Sequence, residues 1–335
     1  METGPLTVLG DRPSLIDPLV QHLVSRIERH SSQGSHLEVE ARIGCLEHRG
    51  SRDRMTLPIQ SETLLKPPSN AHSFEFASDV GQNTFNAIKK HLLEISKGQL
   101  SASHPVFKIN NVRETETVDE FYEQPGGDRV RVTLQDDEVV EVIVKQRLDV
   151  LDMYSGSANM DERPFDLRLS VNSEKKLANF TRDGTVNARR EKSRTSFELK
   201  GFIIDMTRVK VKDRSGDRTS YEVEIELKTD LLVDQLKRKQ DGKSHFLYEL
   251  LTDFVFSSRD LAHSFMSSVG ASDIVPELIK QNDNLVKCYL REVGSIQPII
   301  GDYIYQIALA KELKPIALAK ELKPIAAAKE LKPIG

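Results

Sequence analysis

The chain has 335 residues, 38% of them hydrophobic and 29% charged, with a formal net charge of -4. This length supports a substantial core in one or two domains, and the charged fraction fits a globular unit that has polar extensions or turns charges inward. The negative balance excludes a global basic field for nucleic acid, so any such binding has to be local.

No apolar run approaches membrane-spanning length, and Met1–Gly10 has no signal-peptide pattern. Cys45 and Cys288 are far apart and lack ligand spacing, which predicts free thiols in a reducing compartment. A soluble, intracellular protein is expected.

Residues 1–13 read as a frayed extension. Ile16, Leu19, Val20, Leu23, Val24 and Ile27 recur at helical spacing, with Ser14 as the cap. Ser31-Ser32-Gln33-Gly34-Ser35 ends that helix. In Leu37-Glu38-Val39-Glu40-Ala41-Arg42-Ile43 polar and apolar residues then alternate with the period of a strand. Residues 47–72 are charged, then proline-rich at Pro67-Pro68, and read as a long loop. Phe74-Glu75-Phe76 is a short strand candidate, and Phe85, Ile88, Leu92 and Ile95 share one face of a helix near 83–97.

After about Pro105 the texture becomes strand-like. Val106–Tyr122 holds one or two strands, and Pro125-Gly126-Gly127-Asp128 is a turn. Arg129-Val130-Arg131-Val132-Thr133 and Val139–Leu148, joined by Gln135-Asp136-Asp137, read as a hairpin. Residues 155–164 form a loop before the alternating Phe165–Val171, and residues 173–187 are polar. Arg190-Glu191-Lys192-Ser193-Arg194 places three cations on one strand face. Phe202–Thr207 and Tyr221-Glu222-Val223-Glu224-Ile225-Glu226-Leu227 complete the strands, the last with three carboxylates on one face.

Helical spacing returns in Leu231, Leu232 and Leu236, breaks at Gln240-Asp241-Gly242, and resumes in Phe246, Leu247, Leu250, Leu251 and Phe254. More helix is expected to about Val293. Ala-Lys-Glu-Leu-Lys-Pro-Ile then occurs three times, from Ala310, Ala319 and Ala328, with a proline in each copy. The expected division is an N-terminal extension and helix (1–35), a strand-rich core (36–228), C-terminal helices (229–300) and a low-complexity tail (301–335).

Glutamate is a poor strand former, so folding by itself does not ask for two acidic strands. Facing each other, they would make a nest of oxygens suited to a hard divalent cation. Two carboxylates about 5 Å apart repel by roughly 3 kcal/mol at an effective dielectric of 20. The basic strand faces between them would suit a polyanion. An ordinary sheet would send all these charges to water, whereas a closed barrel could hold them inside and pack helices outside. A triphosphate with a divalent metal is the ligand that needs both signs of charge at once.

These motifs, in this order, resemble the metal-dependent RNA 5′-triphosphatases of fungal and protist mRNA capping, in the triphosphate tunnel metalloenzyme group. The similarity runs from about His36 to Leu227 and rests on the two glutamate strands, Asp128–Val132, Val144–Leu148, Phe165–Ser170, Arg190–Arg194 and Ile204–Thr207. It implies an α+β fold, an eight-stranded antiparallel β-barrel with a hydrophilic interior flanked by helices. Glu38, Glu40 and Glu226 would bind Mn²⁺ or Mg²⁺. Glu222 and Glu224 would organise the site, one of them orienting the attacking water. Arg131, Lys145, Arg147, Arg190, Lys192 and Arg194 would grip the triphosphate, with Arg129, Arg168 and Arg42 beside them, and Asp205 and Thr207 would support the network. Ile203 departs from the pattern, because relatives often carry a basic residue there.

The resemblance implies hydrolysis of the γ-phosphate from the 5′-triphosphate end of nascent mRNA, with free NTPs as further substrates in Mn²⁺. It also implies a nuclear location and an mRNA guanylyltransferase partner, and it leaves monomer or homodimer open. An inorganic tripolyphosphatase, a polyphosphate polymerase and a non-catalytic module for RNA ends or polyphosphate are the competing readings. The order of the middle motifs favours the capping branch, and five facing glutamates are of no use to a pure anion binder.

Overall fold

A computed structural model describes residues 18–57, 59, 62–65, 74–98, 109–123, 127, 129–155, 164–182, 184–213 and 216–264. Helix α1 (Pro18–Arg29) and a 3-10 turn (Ser31–His36) lead into β1 (Leu37–His48), β2 (Thr63–Leu65), β3 (Phe74–Ala77) and α2 (Gln82–Ser96). Seven strands follow: β4 (Asn111–Glu123), β5 (Arg129–Gln135), β6 (Glu138–Tyr154), β7 (Asp166–Lys176), β8 (Val186–Glu198), β9 (Phe202–Asp213) and β10 (Gly216–Leu227). Helices α3 (Thr229–Gln240) and α4 (Leu247–Ser264) end the described chain.

The sheet order β10-β9-β8-β4-β5-β6-β7-β1 closes through a β1–β10 pairing, so eight antiparallel strands form a barrel. The short strands lie off this ring, β3 beside β1 and β2 beside β6.

Period-two alternation sends one set of side chains out and the other in. Outward go Leu37, Val39, Ala41 and Ile43 of β1, Leu167, Leu169 and Val171 of β7, Ile204 and Met206 of β9, and Val223, Ile225 and Leu227 of β10. They pack in one core with the apolar stripes of all four helices, among them Leu19, Leu23 and Ile27 of α1 and Leu250, Leu251 and Phe254 of α4. Burying each large aliphatic or aromatic side chain is worth about 1.5–3 kcal/mol, so the helices are what make an inside-out barrel stable. The far wall has a smaller cover, where Tyr122, Val130 and Val132 are packed by Phe180 and Leu177.

The β5–β6 hairpin turns on Asp136 (φ 51°) and Asp137 (φ 63°), the left-handed pair that matches strand twist. Strict alternation fails in β6 between Arg147 and Asp149, where Leu148 is an extra residue opposite β7. Lys145 and Arg147 point inward before this bulge, and Asp152 does so after it. The extra residue thereby returns Leu151 and Met153 to the outer core.

Several sequence expectations change. Residues 47–72 are not simply a loop: β1 runs to His48, Arg54 bridges to Glu47, and Thr63–Leu65 is a strand. Of the one or two strands expected in Val106–Tyr122, the described residues show one, from Asn111, in agreement. The polar stretch after 173 begins as the end of strand β7, reaching Lys176. The expected cap Ser14, Pro67-Pro68, most of the turn at 125–128, residues 156–163 and everything beyond 264, including the helix to Val293 and the repeats, lie outside the described residues.

Gly44 stands where β1 leaves β10 and takes β3 as partner. A Cβ there would overlap the Ala77 carbonyl oxygen and reach 2.9 Å from Phe76 Cε1. Because the first obstacle is backbone, Gly44→Ala should destabilise the fold by about 2–3 kcal/mol, read as a lower urea midpoint with an unchanged m-value. An unchanged midpoint would show that β3 is not held there.

Candidate active site

The two acidic strands are neighbours, and their register sets Glu40 opposite Glu226 and Arg42 opposite Glu224. On the other side of β1, Glu38 faces Asn172 and Glu40 faces Ser170. Asn172 Nδ2 donates to Glu38 Oε2 and Glu40 Oε1, each at 3.1 Å, which fixes both carboxylates on the inner face. Lys145 Nζ reaches Glu38 at 2.7 Å, Glu40 at 3.2 Å and Glu174 at 3.4 Å. Burial, overcome by the charges of Glu40, Glu38 and Glu174, leaves this ammonium more firmly protonated than an ordinary lysine.

Glu226 makes no hydrogen bond or ion pair among the described residues. Burial, with Glu38 and Asp205 nearby, raises its carboxyl to about 8. Burial against the opposing pull of Lys145, with Glu40 and Glu174 adding to it, raises Glu38 to about 7. Asp205 Oδ1 is likewise buried without a hydrogen-bond partner.

Among the described residues no three His, Cys, Asp or Glu side chains already stand in ligand geometry, because Lys145 lies among the acids. The donor set itself, three carboxylates crowded on one inner face with no soft ligand, fits a hard divalent cation.

The neighbouring groups are interlocked charges. Arg42 Nη2 pairs with Glu224 at 3.0 Å, and Arg194 pairs with Asp205 at 2.6 Å, donates to Thr207 Oγ1 at 3.0 Å and lies 3.7 Å from Glu224. Burial opposes ionisation of Glu224, but Arg42, Arg194, Lys145 and Lys192 outweigh it and hold this carboxyl well below the usual carboxylate range. Arg190 Nη2 pairs with Glu222 at 2.7 Å. Lys192 pairs with the buried Asp119, which also accepts from Thr133 at 2.8 Å. Burial, only partly offset by Asp119, and the nearby Arg194, Arg131 and Arg190 lower Lys192 to about 8.

The remaining predicted residues share the inward strand faces, with different surroundings and exposure. Arg131 lies 3.6 Å from both Glu141 and Glu174. Arg168 grips Asp152 with two bonds, at 2.6 and 2.8 Å, and its guanidinium carbon is 4.8 Å from the Phe76 ring centre. Arg147 has neither hydrogen bond nor ion pair among the described residues, and burial beside Arg168 and Arg42 lowers its pKa. Arg129 is exposed, 4.1 Å over the Phe121 ring at the strand end. Ile203 is inward-facing opposite both Glu226 and Glu198, and a cavity of about 420 Å³ opens there, lined also by Lys228 and Thr229.

Sequence reasoning missed the partners of these groups. Asn172 and Glu174 continue the inward face of Arg168 and Ser170, so the same period extended four residues would have found them. Asp119 was legible in Val118–Tyr122 as an acid on a strand, but nothing local ties it to Lys192. Asp152 was hidden by the bulge at Leu148, which reverses the face a simple alternation predicts.

The raised carboxyls carry a stability signature. Between the ordinary carboxyl value of 4.5 and about 8, the folded protein keeps protons that the unfolded chain has released, so its stability falls as pH rises through that window. Glu226→Gln in metal-free protein should therefore raise the thermal midpoint above pH 8 and change it little near pH 4.5. An equal gain at both ends would contradict the charge crowding.

Residues 14–266 match the protein family described as "mRNA capping enzyme, beta chain". The mRNA-capping enzyme subunit beta of Schizosaccharomyces pombe is 25% identical over 232 residues, which are 68% of this chain and 74% of that protein. The structure of S. pombe Pct1 RNA triphosphatase matches with a TM-score of 0.64 at 21% identity, covering 78% of this chain and 98% of that one. The structure of the same enzyme in complex with the Spt5 CTD gives 0.63 at 22% identity, covering 75% and 96%. At these identities the structural likeness is one of fold. With the family match spanning most of the chain and the fold a closed eight-stranded tunnel, the chain belongs to the mRNA-capping triphosphatase family, hydrolases acting on phosphoric anhydrides.

Proposed function

We propose that this protein is an RNA 5′-triphosphatase that hydrolyses the γ-phosphate of 5′-triphosphate RNA, giving 5′-diphosphate RNA and phosphate. The observation that carries this reading is one enclosed surface on which Glu38, Glu40 and Glu226 adjoin the cations Lys145, Arg194, Lys192, Arg190 and Arg131. Glu38, Glu40 and Glu226 would hold a Mn²⁺ or Mg²⁺, which when bound supplies Lewis-acid charge against the γ-phosphate oxygens.

The protein's own side chains do the rest. Arg131, Lys145, Arg147, Arg190, Lys192 and Arg194 grip the triphosphate, with Arg42, Arg168 and Arg129 beside them. Glu224, held ionised between Arg42 and Arg194, orients the attacking water for in-line displacement. As the new P–O bond forms, the bond to the β-phosphate breaks, and its electron pair stays on the β-phosphate oxygen, where fixed cations neutralise it without reorganising.

Glu222 holds Arg190, while Asp205 and Thr207 hold Arg194. Asp119 holds Lys192, Asp152 holds Arg168, Asn172 holds Glu38 and Glu40, and Glu174 lies on Lys145. Two unpartnered groups, Arg147 and Glu226, are the ones a metal–triphosphate would complete. A nuclear location and a guanylyltransferase partner follow from the same reading, as does hydrolysis of free NTPs with Mn²⁺.

Phosphate release from γ-labelled triphosphate RNA tests the proposal. Release should need Mg²⁺ or Mn²⁺, stop with chelator, and fall at least about 10³-fold in Glu40→Ala, with Lys192→Ala lowering kcat by on the order of 10²–10³. Glu40→Ala should also lose the thermal stabilisation that Mn²⁺ gives the wild type. Folded wild type that releases no phosphate with any divalent metal would refute the enzyme reading.

A further inference from the structure

Strand β9 changes character halfway along its outer face. Ile204 and Met206 are buried under helices, whereas the next outward residues, Arg208, Lys210 and Lys212, are exposed. The neighbouring strands change at the same level. On β8 the buried Phe197 and Thr195 give way to Ser193, Glu191 and the exposed Arg189. On β10 the buried Val223 gives way to Tyr221, Thr219 and Asp217.

Arg208 faces Ser193 and Tyr221, Lys210 faces Glu191 and Thr219, and Lys212 faces Arg189 and Asp217. Lys212 is paired with Glu191 at 2.9 Å and Arg189 with Glu120 at 3.3 Å. Arg208 and Lys210 carry no hydrogen bond or ion pair among the described residues. Along β9 itself the outer residues at this level are all cationic, with Glu191, Asp217 and Glu116 as the acids on the strands beside and beyond it.

The stripe also has a position. Toward the β9–β10 hairpin the inner face is cationic too, because Arg190 and Arg218 both stand opposite Val211. At the other end of the same strands the inner face holds Glu226 and Glu198. Cations thus continue from the inside of the tunnel over the hairpin edge to the outside, while Glu226 and Glu198 lie at the opposite end.

A ligand with three phosphates at its tip and more phosphates behind it is drawn to leave by the cationic end. Residues two apart on a strand stand about 7 Å apart, a step comparable to that between successive phosphates of an extended single strand. Ser193 and Thr219 add hydroxyls that can bond phosphate or ribose. No fully exposed aromatic side chain accompanies the cations among the described residues, whereas a peptide would favour one as an anchor.

We propose that Arg208 and Lys210, with Lys212 and Arg189 beside them, form a sequence-independent track for the single-stranded RNA body behind its 5′ end. The proposal rests on the triphosphatase reading for the identity of the polyanion, and its test separates the two. The probe is a 5′-hydroxyl oligouridylate, whose binding to wild type and to the Arg208→Ser/Lys210→Ser double variant is followed by fluorescence anisotropy over a range of salt. In the same preparations, metal-dependent hydrolysis of inorganic triphosphate is measured.

The variant's log K against log salt should be shallower by about 1.4, since each phosphate contact on a single strand contributes about 0.7, and its hydrolysis should match wild type. Equal slopes with intact hydrolysis would overturn the track and leave the enzyme. Different slopes with no hydrolysis in either protein would leave the track and remove the enzyme. Competition by polyglutamate as effective as that by RNA would assign the stripe to acidic peptides and overturn the proposal.

Discussion

Charges taken out of water must find opposite charges or be neutralised, and that constraint governs the interior of this barrel. Each buried ion costs several kcal/mol unless it is compensated. Here compensation is reciprocal and spread over strands distant in sequence. Lys192 of β8 meets Asp119 of β4, Lys145 of β6 meets Glu38 and Glu40 of β1, and Arg42 of β1 meets Glu224 of β10. Removing one member strands the other, so the network behaves as a unit rather than as a sum of pairs. The groups left over are informative. Glu226 among acids and Arg147 among cations make no hydrogen bond or ion pair among the described residues, and they are the groups that the proposed metal and polyphosphate would meet.

An interior of this kind contributes little to stability, which has to come from elsewhere. The apolar sets of β1, β7, β9 and β10 face outward and meet four helices, so the hydrophobic core is a shell around half of the barrel rather than its centre. The arrangement explains why the helices flank the strand-rich stretch at both ends of the sequence. It also explains why irregularities fall where they do. The bulge at Leu148 keeps Leu151 and Met153 in the shell while turning Asp152 inward to hold Arg168, and Gly44 lets β1 exchange one partner strand for another at close approach.

Fixed partners are also what hydrolysis of a triphosphate demands. The reaction offers few covalent steps to the protein and asks mainly for charge already in position. Guanidinium forks tied down by Asp205, Glu222 and Asp152 cannot swing away when a phosphate arrives, and Glu224 stays ionised because cations surround it. Preorganisation and burial are thus two aspects of one design. Where β8, β9 and β10 lose their helical cover, the same alternation that aims cations inward at Arg190 aims others outward at Arg208 and Lys210.

Much of this was legible in the sequence because alternation is local. Leu37–Ile43 and Tyr221–Leu227 displayed their acidic and apolar faces without reference to anything else, as Arg129–Thr133 and Arg190–Arg194 displayed their cations. The amphipathic helices were equally plain from their spacing. A single residue can reverse a strand's faces, however, so Asp152 could not be assigned inward until the bulge was seen. Periodicity also does not say which strands are neighbours. The sequence by itself determined that acids and bases gather on single strand faces, most of them opposite apolar residues. Only the tertiary structure decided that those faces close inward, that Glu40 stands beside Glu226, and that Asp119, Asn172 and Glu174 complete the network, because those contacts join residues dozens to nearly two hundred positions apart and are set by strand pairing rather than by local spacing.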